Sequence, residues 1–183
     1  MTEKLRPQAM KTKALYEEAL IRLLAKKPLR EVTVTELAEE AGVSRRAFYR
    51  HFSTVDEVYE SYVAFLAARF SEYYLKSMAA MGHSFDTMAY LHFAFWAHHR
   101  EALEMAVRNG LDRKLSSDVA RKLIEDAGFG EGLGDRRAEV AFQFSLAGLW
   151  GVIREWAGNG FVESPEEMAK LCSSVPKLLN RQE

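Results

Sequence analysis

Residues 33–52 read Thr33-Val34-Thr35-Glu36-Leu37-Ala38-Glu39-Glu40-Ala41-Gly42-Val43-Ser44-Arg45-Arg46-Ala47-Phe48-Tyr49-Arg50-His51-Phe52, and this stretch decides the fold. Val34, Leu37, Ala38 and Ala41 recur at the spacing of one buried helical face. Thr33 stands where an N-cap belongs, and Gly42 where a glycine stops a helix. Beyond that turn, Ser44 to His51 predicts a second short helix. It buries Val43, Ala47, Phe48 and Phe52, and it turns Arg45, Arg46, Tyr49 and Arg50 outward. Eight residues of helix span about 12 Å, the width of a major groove. Arginines there can fork to guanine edges, while Ser44 and the first amides can hold a phosphate. The pattern is a helix-turn-helix.

Outward from this segment the chain continues as helices. Tyr16, Ala19, Leu20 and Leu23 mark a helix from Pro7 to near Lys27-Pro28. Ser53 or Thr54, with Asp56 or Glu57 three residues on, is a capping-box start for a long helix reaching about Met81. Gly82-His83-Ser84 is a break, after which Met88, Leu91, His92, Phe95, Trp96 and His99 form one helical stripe. Shorter helices are expected over Arg100–Asn109 and Ser117–Asp126, a longer one over Asp135–Trp156, and a last one from Ser164-Pro165-Glu166-Glu167. Pro176 is expected to kink or end that last helix. Gly128-Phe129-Gly130-Glu131-Gly132-Leu133-Gly134 reads as a flexible connection; its glycines do not fit a nucleotide-binding loop. No segment reads as a strand. The fold class is all-α with about nine helices: a three-helix helix-turn-helix domain over residues 1–53 and a helical domain over 54–183.

The pattern Thr33, Leu37, Ala38, Ala41-Gly42-Val43-Ser44, Phe48-Tyr49, His51-Phe52, followed by an acidic helix start, closely resembles the N-terminal domain of the TetR family of bacterial transcriptional regulators. The resemblance is specific over about 20 residues and compatible over roughly residues 8–65. Beyond that it holds only in plan, a long linking helix followed by a divergent helical domain. It implies that Arg45 and Arg46 read bases in double-stranded DNA. It implies phosphate contacts for Tyr49, His51, Thr33 and Ser44, with Thr35 and Arg50 on the same binding face. One position departs from the family: Val55 stands where a lysine is common, and Arg50 or Lys27 is the expected substitute.

For the second domain the resemblance implies a small-molecule effector, apolar or aromatic, whose binding weakens DNA affinity. The candidate pocket is Tyr73, Met88, His92, Phe95, Trp96 and His99, with a hydrogen bond from His92 or Tyr73; the same stripe also suits an ordinary helical core. Homodimerisation on a palindromic operator is expected, because one short helix reads too few bases. Ala141, Ser145, Gly148 and Val152 form a small-residue strip flanked by Leu149, Ile153 and Trp156, and Leu171 and Val175 lie on the last helix. These residues are the candidate dimer interface, although they could equally close the protomer's own core.

Composition agrees. The chain has 183 residues, net charge -1 and 48% hydrophobic content, enough for one or two small domains. Residues 1–52 carry 11 Lys/Arg against 7 Asp/Glu, whereas the rest carries 14 against 19, so positive charge concentrates at the end that would meet a polyanion. No run approaches the roughly 18–20 apolar residues of a membrane span. The opening residues hold no apolar export signal, so a cytoplasmic, nucleoid-associated protein is expected. Cys172 is the only cysteine, excluding an internal disulfide and a cysteine-based zinc cluster. His92 and His99, seven residues apart, lie too far apart for one metal. No catalytic motif occurs, so neither enzyme activity, cofactor nor metal is expected. A repressor is the leading reading; an activator of the same family and a helical interaction module with a silent helix-turn-helix are the alternatives.

Overall fold

Thr33 starts its helix by a reciprocal cap: its hydroxyl accepts from the Glu36 amide at 3.2 Å, and the Glu36 carboxylate accepts from the Thr33 amide at 3.0 Å. Gly42 ends the same helix in the left-handed region at φ 65°, a conformation that favours glycine. The computed structural model describes residues 5–128 and 136–179. The glycine-rich connection at 129–134 lies outside the described residues.

Nine α-helices and one 3₁₀ turn, with no strand, account for the regular structure of the described residues. In order they are α1 (Leu5–Leu24), the 3₁₀ turn Leu29–Glu31, α2 (Val34–Ala41), α3 (Arg45–Phe48), α4 (Val55–Met81), α5 (Phe85–His98), α6 (Arg100–Arg108), α7 (Asp112–Asp126), α8 (Arg136–Gly158) and α9 (Pro165–Leu179). The chain divides into two compact units, Met1–Phe65 and Leu66–Glu183.

In the first unit Tyr16, Ala19, Leu20 and Leu24 of α1 are buried with Leu37 and Ala38 of α2, Ala47 and Phe48 of α3, and Val58 and Tyr59 of α4. The Tyr16 ring stands edge-on to Phe48 and Phe52 at 5.4 and 6.2 Å, a preferred aromatic geometry. Arg22 of α1 meets Glu40 of α2 at 2.6 Å on the rim.

In the second unit α5 supplies the centre, with Met88, Ala89, Leu91, His92, Phe93, Phe95 and Trp96 buried, and it packs chiefly on α9. Phe93 meets the Trp156 edge at 5.3 Å, and Trp156 Nε1 donates to the Glu163 carbonyl at 3.1 Å. Each fully buried ring contributes about 1.5–3 kcal/mol of transfer free energy. Gly160 (φ 80°) and Phe161 (φ 57°) end α8 in a Schellman turn: the Phe161 amide donates to the Trp156 carbonyl at 3.0 Å, and the two rings pack at 4.6 Å.

Four boundaries differ from expectation. Helix α1 stops at Leu24 rather than near Lys27, and a 3₁₀ turn follows. Helix α3 spans four residues, not eight. The Arg50 and His51 amides reach back three residues, to Ala47 and Phe48, before the Phe52 amide returns to a four-residue reach onto Phe48, so the segment tightens rather than unwinds. Helix α7 begins at Asp112 instead of Ser117, because Leu115 joins Val119 and Leu123 in a buried i, i+4, i+8 row with an acid in the first turn. Helix α9 runs to Leu179, so Pro176 does not end it; a proline removes one donor without forbidding helical φ.

Candidate functional site

The turn and second helix of the first unit are set by three groups. Ser44 caps α3 by accepting from the Ala47 amide at 3.2 Å. Ala47 and Phe48 anchor the inner face. From α1, the Tyr16 hydroxyl donates to the Ser44 carbonyl at 3.0 Å. With that face fixed, Thr35, Ser44, Arg45, Arg46, Tyr49 and Arg50 are all exposed, and His51 is half-buried. Tyr49 leaves 58% of its surface in solvent, although its edge still packs against Phe48.

The charges on this face are uncompensated. Arg22 and Lys27, elsewhere in the unit, are paired with Glu40 and Glu36 at 2.6 Å. Arg45, Arg46 and Arg50 pair with no carboxylate among the described residues. His51 reports the resulting field: burial, then Arg50 and Lys13, hold its imidazole below the usual histidine range. Lys13 also lies 5.4 Å over the Phe52 ring, which brings it to the same edge. Sequence reasoning missed Lys13 and Tyr16, because periodicity shows that Tyr16 faces inward without showing which carbonyl its hydroxyl meets.

Two expectations for this face are revised, and the departure at Val55 stands. The hydroxyl of Thr33 accepts from the Glu36 amide and donates to the Glu36 carboxylate at 2.8 Å, so the cap already engages it. Lys27 bonds Glu36 and the Glu31 carbonyl, at 2.9 Å for the latter, and cannot stand in for a lysine at position 55. Val55 is itself a buried core residue at the start of α4, so that position presents no polar group.

In the second unit a cavity of about 470 Å³ opens between α4, α5 and α8. Tyr74, Leu75 and Met78 of α4, His83 and Ser84 before α5, Phe85 and Met88 of α5, and Phe142 and Ser145 of α8 are among the residues that line it. Of the six residues expected there, only Met88 does. His92, Phe95 and Trp96 are closed into an aromatic core around Phe70, at 4.8, 5.0 and 6.3 Å between ring centres. Tyr73 and His99 pack against Phe95 instead. His92 donates from Nδ1 to the Met88 carbonyl at 2.8 Å, and burial lowers its pKa to about 4, so it is a neutral core histidine. The tyrosine that lines the cavity is Tyr74, one residue from the expected Tyr73, and its hydroxyl lies inside the packed structure. It is shielded from solvent and has no hydrogen-bond partner.

The expected dimer residues separate into two faces. Leu149, Ile153 and Trp156 are buried inside the protomer, where α8 packs on α5 and α6, and they are removed from the interface set. Val152 is half-buried, while Leu171 and Val175 are exposed. The opposite face of α8 carries the apolar surface that remains in solvent: Val140, Phe144 at 79% exposure, and the small residues Ala141, Gly148 and Gly151. Among the described residues no three His, Cys, Asp or Glu side chains gather as a metal site. No described helix is long and apolar enough to cross a membrane.

A capped two-helix turn with an outward arginine face, followed by a second all-helical unit, is a helix-turn-helix arrangement. Residues 18–62 match the family described as bacterial regulatory proteins, tetR family. The fold is similar to the fatty acid degradation regulator FadR from Bacillus halodurans, with 16% identity, TM-score 0.59, and 87% of this chain and 91% of that one covered. It is likewise similar to a protein from Pseudomonas aeruginosa PAO1 assigned as a transcriptional regulator, with 20% identity, TM-score 0.59, and 91% and 89% covered. No curated protein matches the chain in sequence.

Proposed function

We propose that this protein is a tetR-family repressor that binds a palindromic operator as a homodimer and is released by a small apolar effector. The observation that carries the reading is the arginine face: Arg45, Arg46 and Arg50 stand exposed with no carboxylate partner, beside Tyr49 and a His51 already pressed by positive charge. Guanidinium groups left free in this way gain most from phosphate and guanine acceptors. Arg45 and Arg46, in the only turn of α3, read base edges. Tyr49, Arg50, His51, Ser44 and Thr35 hold the backbone, which fixes register without reading sequence.

Two copies joined through the exposed face of α8 and α9 present two such faces to half-sites about 34–36 Å apart. The effector occupies the cavity beside Tyr74 and Met78. Those residues lie on α4, the same helix whose first turn packs in the DNA-binding unit, and a displaced α4 separates the half-site contacts. A ligand achieves this only by preferring one state; about 3 kcal/mol of preference gives roughly 150-fold release.

The test is selection from randomised duplex DNA with the full chain, followed by sequencing. Enrichment of a pseudo-palindrome with half-sites one helical turn apart is the expected result. Absence of enrichment at low salt, from protein of intact fold, overturns the reading.

A further inference from the structure

Lys13 and Tyr16 stand one turn apart on the same side of α1. Tyr16 reaches the start of α3, donating to the Ser44 carbonyl at 3.0 Å, and its ring meets Phe48 and Phe52 edge-on. These contacts set the course of α1 over the recognition segment. They carry Lys13 to the far end of that segment, where its ammonium lies 5.4 Å over the Phe52 ring. An aromatic face holds an ammonium in place without neutralising it, and leaves its N–H donors for an acceptor. Lys13 forms no ion pair among the described residues, not even with Glu17, one turn further along α1. The neighbouring start of α4 supplies no cation. Val55 is buried there, the Ser53 amide donates to the Glu57 carboxylate at 2.7 Å, and the Glu57 amide donates to the Thr54 hydroxyl at 3.2 Å. Lys13 is close enough to His51 to help hold that imidazole below its ordinary range, after burial and Arg50. An electropositive edge with no counter-ion, continuous with Arg50 and His51, attracts an anion.

We propose that Lys13 makes α1 a third element of the DNA interface: seated over Phe52 beside His51, its ammonium takes one backbone phosphate of the duplex. This contact rests on the DNA-binding reading above and lies outside the helix-turn-helix. A phosphate carries no base identity, so Lys13 strengthens binding to all duplexes alike and helps to fix register. The seat over Phe52 orders the long side chain in advance, so less freedom is lost when the phosphate arrives.

Fluorescence anisotropy with the full chain tests this, using the selected operator and a scrambled duplex over a range of salt. Lys13→Met keeps an apolar stem over Phe52 and removes the charge, whereas Lys13→Arg keeps the charge. Lys11→Met is the control: it removes an exposed charge two residues away, about 200° around α1. Loss of one phosphate contact lowers the salt slope by about 0.9, which is about eightfold in affinity at about 0.1 M salt and nothing near about 1 M. Lys13→Met is expected to show that loss on both duplexes. Lys13→Arg should bind within twofold of wild type, and Lys11→Met should leave the slope unchanged. An NMR titration without DNA gives a second readout: His51 should titrate at higher pH in Lys13→Met than in wild type. Lys13→Gln serves if Lys13→Met does not fold. A wild-type salt slope in the folded variant, an equal loss in Lys11→Met, a loss confined to one base position, or an unmoved His51 titration overturns the proposal. Wild-type protein that binds neither duplex overturns the DNA-binding reading and this contact together. Wild-type protein that binds both, with Lys13→Met its equal, overturns the Lys13 contact alone.

Discussion

The Tyr16 hydroxyl donates to the carbonyl of Ser44 at 3.0 Å, tying the first helix of the chain to the residue that caps the helix bearing Arg45 and Arg46. Burial raises the Tyr16 phenol, with Arg50 opposing, so the group stays a donor. Because α3 is a single turn, it has little stability of its own and takes its orientation from this bond and from Phe48 beneath it. Tyr16 is thus a positioning residue. Tyr16→Phe keeps the ring contacts and should cost about 0.5–1.5 kcal/mol in urea unfolding. DNA affinity should fall several-fold in parallel; an affinity equal to wild type at equal protein concentration would show that the bond does not set the helix.

Arg45→Ala and Arg46→Ala should behave in the opposite way. Both side chains are exposed and free of carboxylates, so stability should stay within about 0.5 kcal/mol. Each should lower operator affinity by about 1–3 kcal/mol and relax the preference at one base position. Arg50→Ala, assigned to phosphate, should weaken all sequences alike and reduce the salt slope by about 0.9. Fluorescence anisotropy against the selected operator and its single-base variants separates the two behaviours.

The cap on α2 gives a prediction in acid. Lys27 first, then the Thr33 amide and hydroxyl, lower the Glu36 carboxyl from 4.5 to about 2. A depressed carboxylate pKa stabilises the folded state above the unfolded value, so this contribution is complete above pH about 4.5 and is lost as pH falls toward 2. Thr33→Ala should cost about 0.5–2 kcal/mol at pH 7 and make Glu36 less sensitive to acid. NMR titration of the Glu36 carboxyl in both proteins checks it; an unmoved titration would exclude the reciprocal cap.

What the sequence made legible was what local chemistry determines. Thr33, Gly42 and Ser164 announce helix ends through bonds formed within four residues, and all three act as read; Ser44, read as the first residue of its helix, caps it instead. The arginine face follows from its opposite, the apolar row that runs through Ala47 and Phe48 to Phe52. The cavity and the interface were less legible, because α5 and α8 carry apolar residues on more than one face. Periodicity shows that His92, Trp96, Ile153 and Trp156 are apolar-facing without showing which neighbour covers them. Tyr73 and Tyr74, adjacent in sequence, point about 100° apart, and only packing chose Tyr74 for the cavity.

His92 supplies a second acid dependence, with a different window. Desolvation lowers it from 6.5 to about 4, so the folded state resists its protonation while the unfolded state accepts a proton. The stability it confers is complete above pH 6.5 and is lost as pH falls toward 4, a change of roughly 3 kcal/mol in all. His92→Leu should flatten the melting temperature between those limits, leaving the smaller slopes from His51 and His99, which are also depressed. A wild-type melting temperature independent of pH across that window would contradict a neutral, buried His92.

The two faces of α8 give the last prediction. Ile153 and Leu149 close the protomer's core, so Ile153→Ala should cost about 2–5 kcal/mol and unfold the chain before it alters assembly. Phe144 is 79% exposed, and Val140 and the α9 residues Leu171 and Val175 are also left open to solvent. Apolar residues exposed in this number on helices that are otherwise well packed fit a twofold contact. The exposed Gly148 and Gly151 on α8 would let a partner helix approach closely; a Cβ at either meets nothing within 4 Å in the protomer. Phe144→Glu should therefore yield a folded monomer by light scattering, because two carboxylates would face one another across the twofold. Its helical content should match wild type, and its arginine face should be intact. Operator binding should nevertheless collapse, since one half-site contact cannot replace two that share a single association cost. A Phe144→Glu protein that remains dimeric, or a monomer that binds the palindrome as tightly as wild type, would place the interface elsewhere.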